Sequence, residues 1–158
     1  MHDVKALVAK ERWLREETAT LGSAVVCPLV QGFALVPITD SLAAELKAVP
    51  SGGIAPLGEM APGLVEVALR TSQSTAVAYI STEYFGGHGG QDAVAWLNGD
   101  VIFSPKGEGY GDVWPNSAIS QALRAIGVIA NAGQDEFDTL GLGNHRETHR
   151  WADAFASK

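Results

Sequence analysis

The dipeptide Asn98-Gly99 stands between two strand-like runs, residues 92–97 and 100–104. Asn-Gly is the pair that most favours a two-residue type I′ turn: both central residues must take positive φ, and the twist of that turn matches the twist of the strands it joins. The spacing predicts a β-hairpin over residues 92–104, an antiparallel pairing that any fold of the chain must accommodate. Immediately upstream, residues 76–84 have the β-branched and aromatic content of a third strand. Between them lies Phe85-Gly86-Gly87-His88-Gly89-Gly90, four glycines around one histidine. Glycine is placed where a backbone turns tightly or lies against another group, and it costs entropy elsewhere. This stretch is therefore the first candidate for a site.

The rest of the chain is read around that hairpin. Residues 3–18 place Val4, Leu7, Val8 and Leu14 near one face of a helix, with Gly22 as its exit. Residues 24–30 and 32–38 form two short strands or one bent strand, and Pro28 and Pro37 favour an edge or strand ends. Asp40 or Ser41 caps a helix over 42–49. Residues 50–63 hold three prolines and four glycines and form a loop. Residues 64–70 set Val65, Val67 and Leu69 against Glu66 and Ala68, the pattern of a half-buried strand. After a second glycine-rich loop at 105–116, Asn116 or Ser117 caps a helix over 118–126 that Gly127 ends. Residues 135–140 form a turn or two of helix, and 147–155 a last helix presenting Trp151 and Phe155. Hairpin-linked strands with helices grouped toward the ends imply a single globular α+β domain over 1–158, with a mainly antiparallel sheet and helices at the N-terminus and C-terminus packed on it. A doubly wound α/β fold is the alternative.

Composition narrows the function. With 46% hydrophobic and 18% charged residues the chain can bury a core. A net charge of −7 disfavours nucleic acid, which is bound through basic patches. Residues 40–108 carry eight acidic and three basic side chains, an imbalance suited either to solubility or to steering a basic partner. The one cysteine, Cys27, lies in an apolar run and reads as a buried, unreactive thiol compatible with a reducing compartment. No early apolar run precedes a cleavage-type site, and no stretch approaches the roughly 20 apolar residues of a membrane span. A cytoplasmic protein with no membrane partner is expected.

The motifs exclude more chemistry than they specify. His88-Gly89-Gly90 is like an oxyanion-hole loop, but the G-x-S-x-G elbow that such a loop serves is absent. A phosphate cradle would need a following helix or a G-x-x-x-x-G-K-[ST] run, and neither is present. His145 and His149 have i, i+4 spacing, and with His88 or Glu83 they could hold a metal if 144–150 is helical. Against that, no H-E-x-x-H accompanies them. Glu83 and His88 could form an acid–base pair across the loop. No cofactor is expected. The aromatics say more: Tyr84, Phe85, Tyr110 and Trp114 sit in or beside the two glycine-rich loops, flanked by Glu83, Glu108 and Asp112. Loop aromatics either plug the end of a core or anchor an interface.

Two runs, Ser81-Thr82-Glu83-Tyr84-Phe85-Gly86-Gly87 with Gly90-Gln91-Asp92-Ala93, and 115–128 (PNSAISQALRAIGV), resemble a group of small bacterial proteins over about the C-terminal half of the chain. Some of these look like immunity proteins, which neutralise toxins delivered between competing bacteria. The resemblance implies a non-enzymatic inhibitor that occludes a toxin, here a basic toxin domain; it carries no residue roles. On this expectation Glu83, Tyr84, Phe85, His88, Tyr110 and Trp114 contact the protein partner. The alternatives are a small metal-dependent or acid–base hydrolase using His88, Glu83, His145 and His149, and a module that buries its aromatic loops in a homodimer.

Overall fold

The computed structural model describes residues 1–53, 55–86, 88–105 and 117–156, with the backbone alone at 88. Six strands form one sheet in the order β2-β3-β1-β4-β5-β6, in which every neighbouring pair is antiparallel. They are β1 (His2–Lys10), β2 (Cys27–Pro28), β3 (Phe33–Pro37), β4 (Val77–Phe85), β5 (His88–Leu97) and β6 (Asp100–Phe103). Among the described residues there are six helices, three between strands and three after β6: α1 (Glu11–Thr18), α2 (Asp40–Lys47), α3 (Pro62–Ser72), α4 (Ala118–Ala125), α5 (Glu136–Thr139) and α6 (Thr148–Phe155). The fold is thus α+β on an antiparallel sheet. Among the described residues no helix is long and apolar enough to cross a membrane.

Helices cover both faces of the sheet. On one, Leu7, Val36, Tyr79, Val94 and Trp96 pack against Leu14 of α1, Leu42 and Leu46 of α2, and Leu64 and Val67 of α3. On the other, Val4, Val8, Leu35, Ile80 and Ala95 pack against Ile119 and Leu123 of α4 and Trp151 of α6. Fully burying one such side chain contributes about 1.5–3 kcal/mol, so the two-sided core is the main source of stability.

That arrangement corrects two expectations. The first element is a strand, β1, and only its continuation α1 is helical. Val4, Leu7 and Val8 suggested one helical face, but Val4 and Val8 face one core and Leu7 the other. A strand covered on both sides reads as an unbroken apolar run. Conversely, 64–70 belongs to helix α3, with Leu64, Val67, Ala68 and Thr71 buried at helical spacing and Pro62 in its first turn. Gly63 lets that turn sit directly on the Leu46 carbonyl at the end of α2, where a Cβ would collide with backbone.

The predicted hairpin is present. Asn98 (φ 53°) and Gly99 (φ 81°) form the turn between β5 and β6. The turn also docks on the end of α3: Asn98 N–H donates to the Ser72 carbonyl at 2.7 Å and Gly99 N–H to Ser72 Oγ at 3.0 Å. Ser117 caps α4 by accepting from Ser120 N–H, and Asp135 caps α5 by accepting from Asp138 N–H. At α2 the cap is Thr39, one residue before those expected, because its hydroxyl reaches Leu42 N–H.

Candidate functional site

The glycine-rich stretch is mostly strand. The β4–β5 register pairs Glu83 with Gly90, Tyr84 with Gly89 and Phe85 with His88, so pairing continues almost to the tip. Gly86 takes φ 57°, a left-handed turn conformation that glycine adopts at no steric cost. Gly89 takes φ 132°, and a Cβ there would fall on the Glu83 carbonyl. These glycines serve a tight hairpin with close backbone approach.

Strand alternation then sends neighbouring residues to opposite faces. Ser81, Glu83 and Phe85 of β4 line a groove of about 400 Å³ with Asp92 of β5 and Glu59 from the loop before α3. Tyr79 hydroxyl donates to Glu59 Oε2 at 3.1 Å, and Ser81 hydroxyl at 3.3 Å to the same oxygen, which fixes this carboxylate at the groove wall. Burial, and then the Glu59 charge, push the Tyr79 hydroxyl far above its ordinary pKa, so it remains a donor at any physiological pH. Glu59, Glu83 and Asp92 are all exposed, and Phe85 is 45% exposed among them. The groove presents an aromatic ring amid carboxylates.

Tyr84 lies on the other face. It lines a cavity of about 330 Å³ between the sheet and helices α4 and α5, together with Thr82, Gln91, Ile119 and Phe137. His2, Ser117 and Asp135 complete the wall. The polar groups there are linked. Thr82 Oγ1 accepts from Val4 N–H at 2.9 Å, which leaves its own proton to donate to His2 Nδ1 at 2.6 Å. The second His2 nitrogen faces the Leu142 carbonyl at 3.4 Å, so the tautomer consistent with both partners carries its proton on Nε2. Burial lowers the His2 pKa, against the raising effect of that carbonyl. Gln91 Nε2 donates to the Tyr84 hydroxyl at 3.2 Å, while its Oε1 accepts from Ile119 N–H at 2.9 Å. Gln91 thereby satisfies a first-turn donor of α4 that has no partner within the helix.

The remaining expected site residues are dispersed. His145 precedes α6, so the i, i+4 pairing with His149 on one helical face is not formed. Its ring packs edge-on against Trp151 at 4.6 Å. His149 Nε2 lies 3.5 Å from Glu147 Oε2, to which Arg150 also donates. Among the described residues no group of three or more His, Cys, Asp or Glu side chains is placed to hold a metal ion. Tyr110 and Trp114 fall outside the described residues, and His88 is described by its backbone register alone. Of the expected contact residues, the structure brings Glu83 and Phe85 together and sends Tyr84 to the opposite face.

Sequence reasoning missed Glu59 and Asp92 in the groove, and His2, Thr82, Gln91, Asp135 and Phe137 in the cavity. Asp92 was within reach, since it stands two residues from Gly90 on a strand already recognised. Glu59 carried no local signal. No protein-family model matches the chain, and neither a curated protein nor a solved structure matches it.

Proposed function

We propose that this chain is a non-enzymatic binding protein that engages a basic protein partner through Phe85 and the surrounding carboxylates of Glu59, Glu83 and Asp92. One observation carries the proposal: a large aromatic side chain stands 45% exposed in a groove whose ionisable residues, among those described, are all acidic. An aromatic anchor supplies the apolar contact, and the acidic rim selects and steers a cationic surface. The net charge of −7 favours the same class of partner. The resemblance of residues 81–93 and 115–128 to bacterial immunity proteins gives the partner's identity within this proposal: a basic toxin domain, neutralised by occlusion.

The test is co-expression with a toxin domain encoded beside this chain's gene, followed by calorimetry on the purified pair. Wild type restores growth and binds with an association rate that falls as salt is raised. Phe85→Ala loses at least about tenfold in affinity, about 1.4 kcal/mol, and the charge reversal Glu83→Lys slows association. Tyr84→Phe, on the opposite face, binds as wild type does. Equal protection and equal affinity for all the variants would refute the assignment.

A further inference from the structure

The cavity on the far side of the sheet differs in chemistry from the acidic groove. Its apolar surface comes from Ile119, which is buried, and from the rings of Phe137, Tyr84 and His2. The His2 and Phe137 rings meet at 5.5 Å with a 59° tilt. Both His2 nitrogens are occupied by Thr82 and Leu142, so the imidazole offers the space only its π surface. The hydrogen-bonding ends of Gln91 are likewise engaged. Among the described residues no lysine or arginine lines the cavity, and Asp135 is the one carboxylate that does. One Asp135 oxygen accepts from Asp138 N–H at 2.8 Å, and a carboxylate has further lone pairs to offer.

An aromatic-walled space with a single anion and no internal cation is complementary to an ammonium group on an apolar body. The carboxylate supplies a charge-assisted hydrogen bond and the ring faces add cation–π attraction. A volume of about 330 Å³ lies within the range of small-molecule sites. We infer that this cavity is a binding site for a small arylalkyl amine, with Asp135 pairing its ammonium and Phe137 and Ile119 holding its apolar part.

The test uses three probes of similar size and different charge on the full chain: phenethylammonium, 3-phenylpropionate and 2-phenylethanol. Binding is followed by the NMR shifts of the Gln91 side-chain amide and the Ile119 backbone amide. Phenethylammonium is expected to give saturable shifts at both positions, the alcohol weaker ones, and the carboxylate none. Asp135→Asn should weaken the amine about tenfold and leave the alcohol unchanged. Asn caps a helix as well as Asp does, so α5 should be kept and the thermal midpoint little changed. Phe137→Leu, which keeps apolar volume and removes the ring, provides a second variant and should weaken the amine at least severalfold. The inference is overturned if phenethylammonium produces no saturable shift, if 3-phenylpropionate binds as tightly, or if neither substitution lowers amine affinity.

Discussion

Replacing Gly89 by alanine should be among the most damaging single-methyl changes available on the β4–β5 hairpin. Gly89 takes φ 132°, where an L side chain is strained whatever space surrounds it. Holding a non-glycine residue in so sparsely populated a region costs about 1–3 kcal/mol. Its Cβ would also fall on the Glu83 carbonyl. Backbone cannot rotate aside as a flexible side chain can, so the two strands must separate locally, which costs about 1–3 kcal/mol more. The sum centres on about 4 kcal/mol, and for a chain of 158 residues that is a fall of roughly 12 °C in Tm. Gly90 is the internal control, with nothing within 4 Å of its Cβ position and no positive φ. Gly90→Ala should therefore change stability by less than about 1 kcal/mol. Thermal and urea unfolding of the two variants decide the matter. If their midpoints coincide within about 2 °C, the glycines are not there for backbone geometry, and a role in contacting a ligand returns as the explanation.

Two further outcomes follow from individual side chains. Burial pushes the Cys27 thiol up to about 12, and its sulfur lies against the Trp151 carbonyl, so a disulfide reagent should label the native protein only on unfolding; labelling of the folded state at the rate of a free thiol would contradict this. Burial holds the His2 pKa below its ordinary 6.5, so the unfolded chain takes up this proton first as pH falls. Stability tied to this group is present above the unfolded pKa and is lost as pH drops through the folded one. Urea midpoints measured between pH 7.5 and 5 should fall less steeply for His2→Gln than for wild type, and parallel curves would remove His2 from the account.

What could be read from the sequence was local. The Asn98-Gly99 turn, the Ser117 cap and the Gly127 exit of α4 each depend on a few adjacent residues whose dihedral or hydrogen-bonding demands are strict. Ser117 indeed accepts from the third residue onward, and Gly127 takes φ 101°. The errors arose where partners decide. In β1, residues pack alternately on two cores, so polarity does not alternate, and the 4-7-8 spacing imitates a helix. In α3, Val65, Val67 and Leu69 imitate a strand, yet Leu64, Ala68 and Thr71 are buried along with Val65 and Val67, which is the spacing of a helix. Tertiary burial overrides a seven-residue pattern. The cavity was illegible for the same reason: it joins His2 to Thr82 and Phe137 across the whole chain, and no local pattern marks such a meeting. The groove was half legible, because Glu83 and Phe85 are two apart on one strand while Glu59 arrives from a loop.

The end of β4 shows why adjacent residues in one motif need not share a function. Between Ser81 and Phe85 the chain reverses face at every step: Ser81, Glu83 and Phe85 border the acidic groove, whereas Thr82 and Tyr84 border the aromatic cavity. A run that reads as one aromatic and acidic cluster in sequence is two half-sites back to back. Among the described residues Gln91 borders both, and it is the natural place to look for communication between them. Its amide, however, is held at both ends, by Tyr84 and by the first turn of α4. A side chain so fixed has one arrangement, and coupling between two sites requires an element with at least two. The sheet therefore acts as a partition: an acidic groove and an aromatic cavity share a hairpin while each retains its own chemistry.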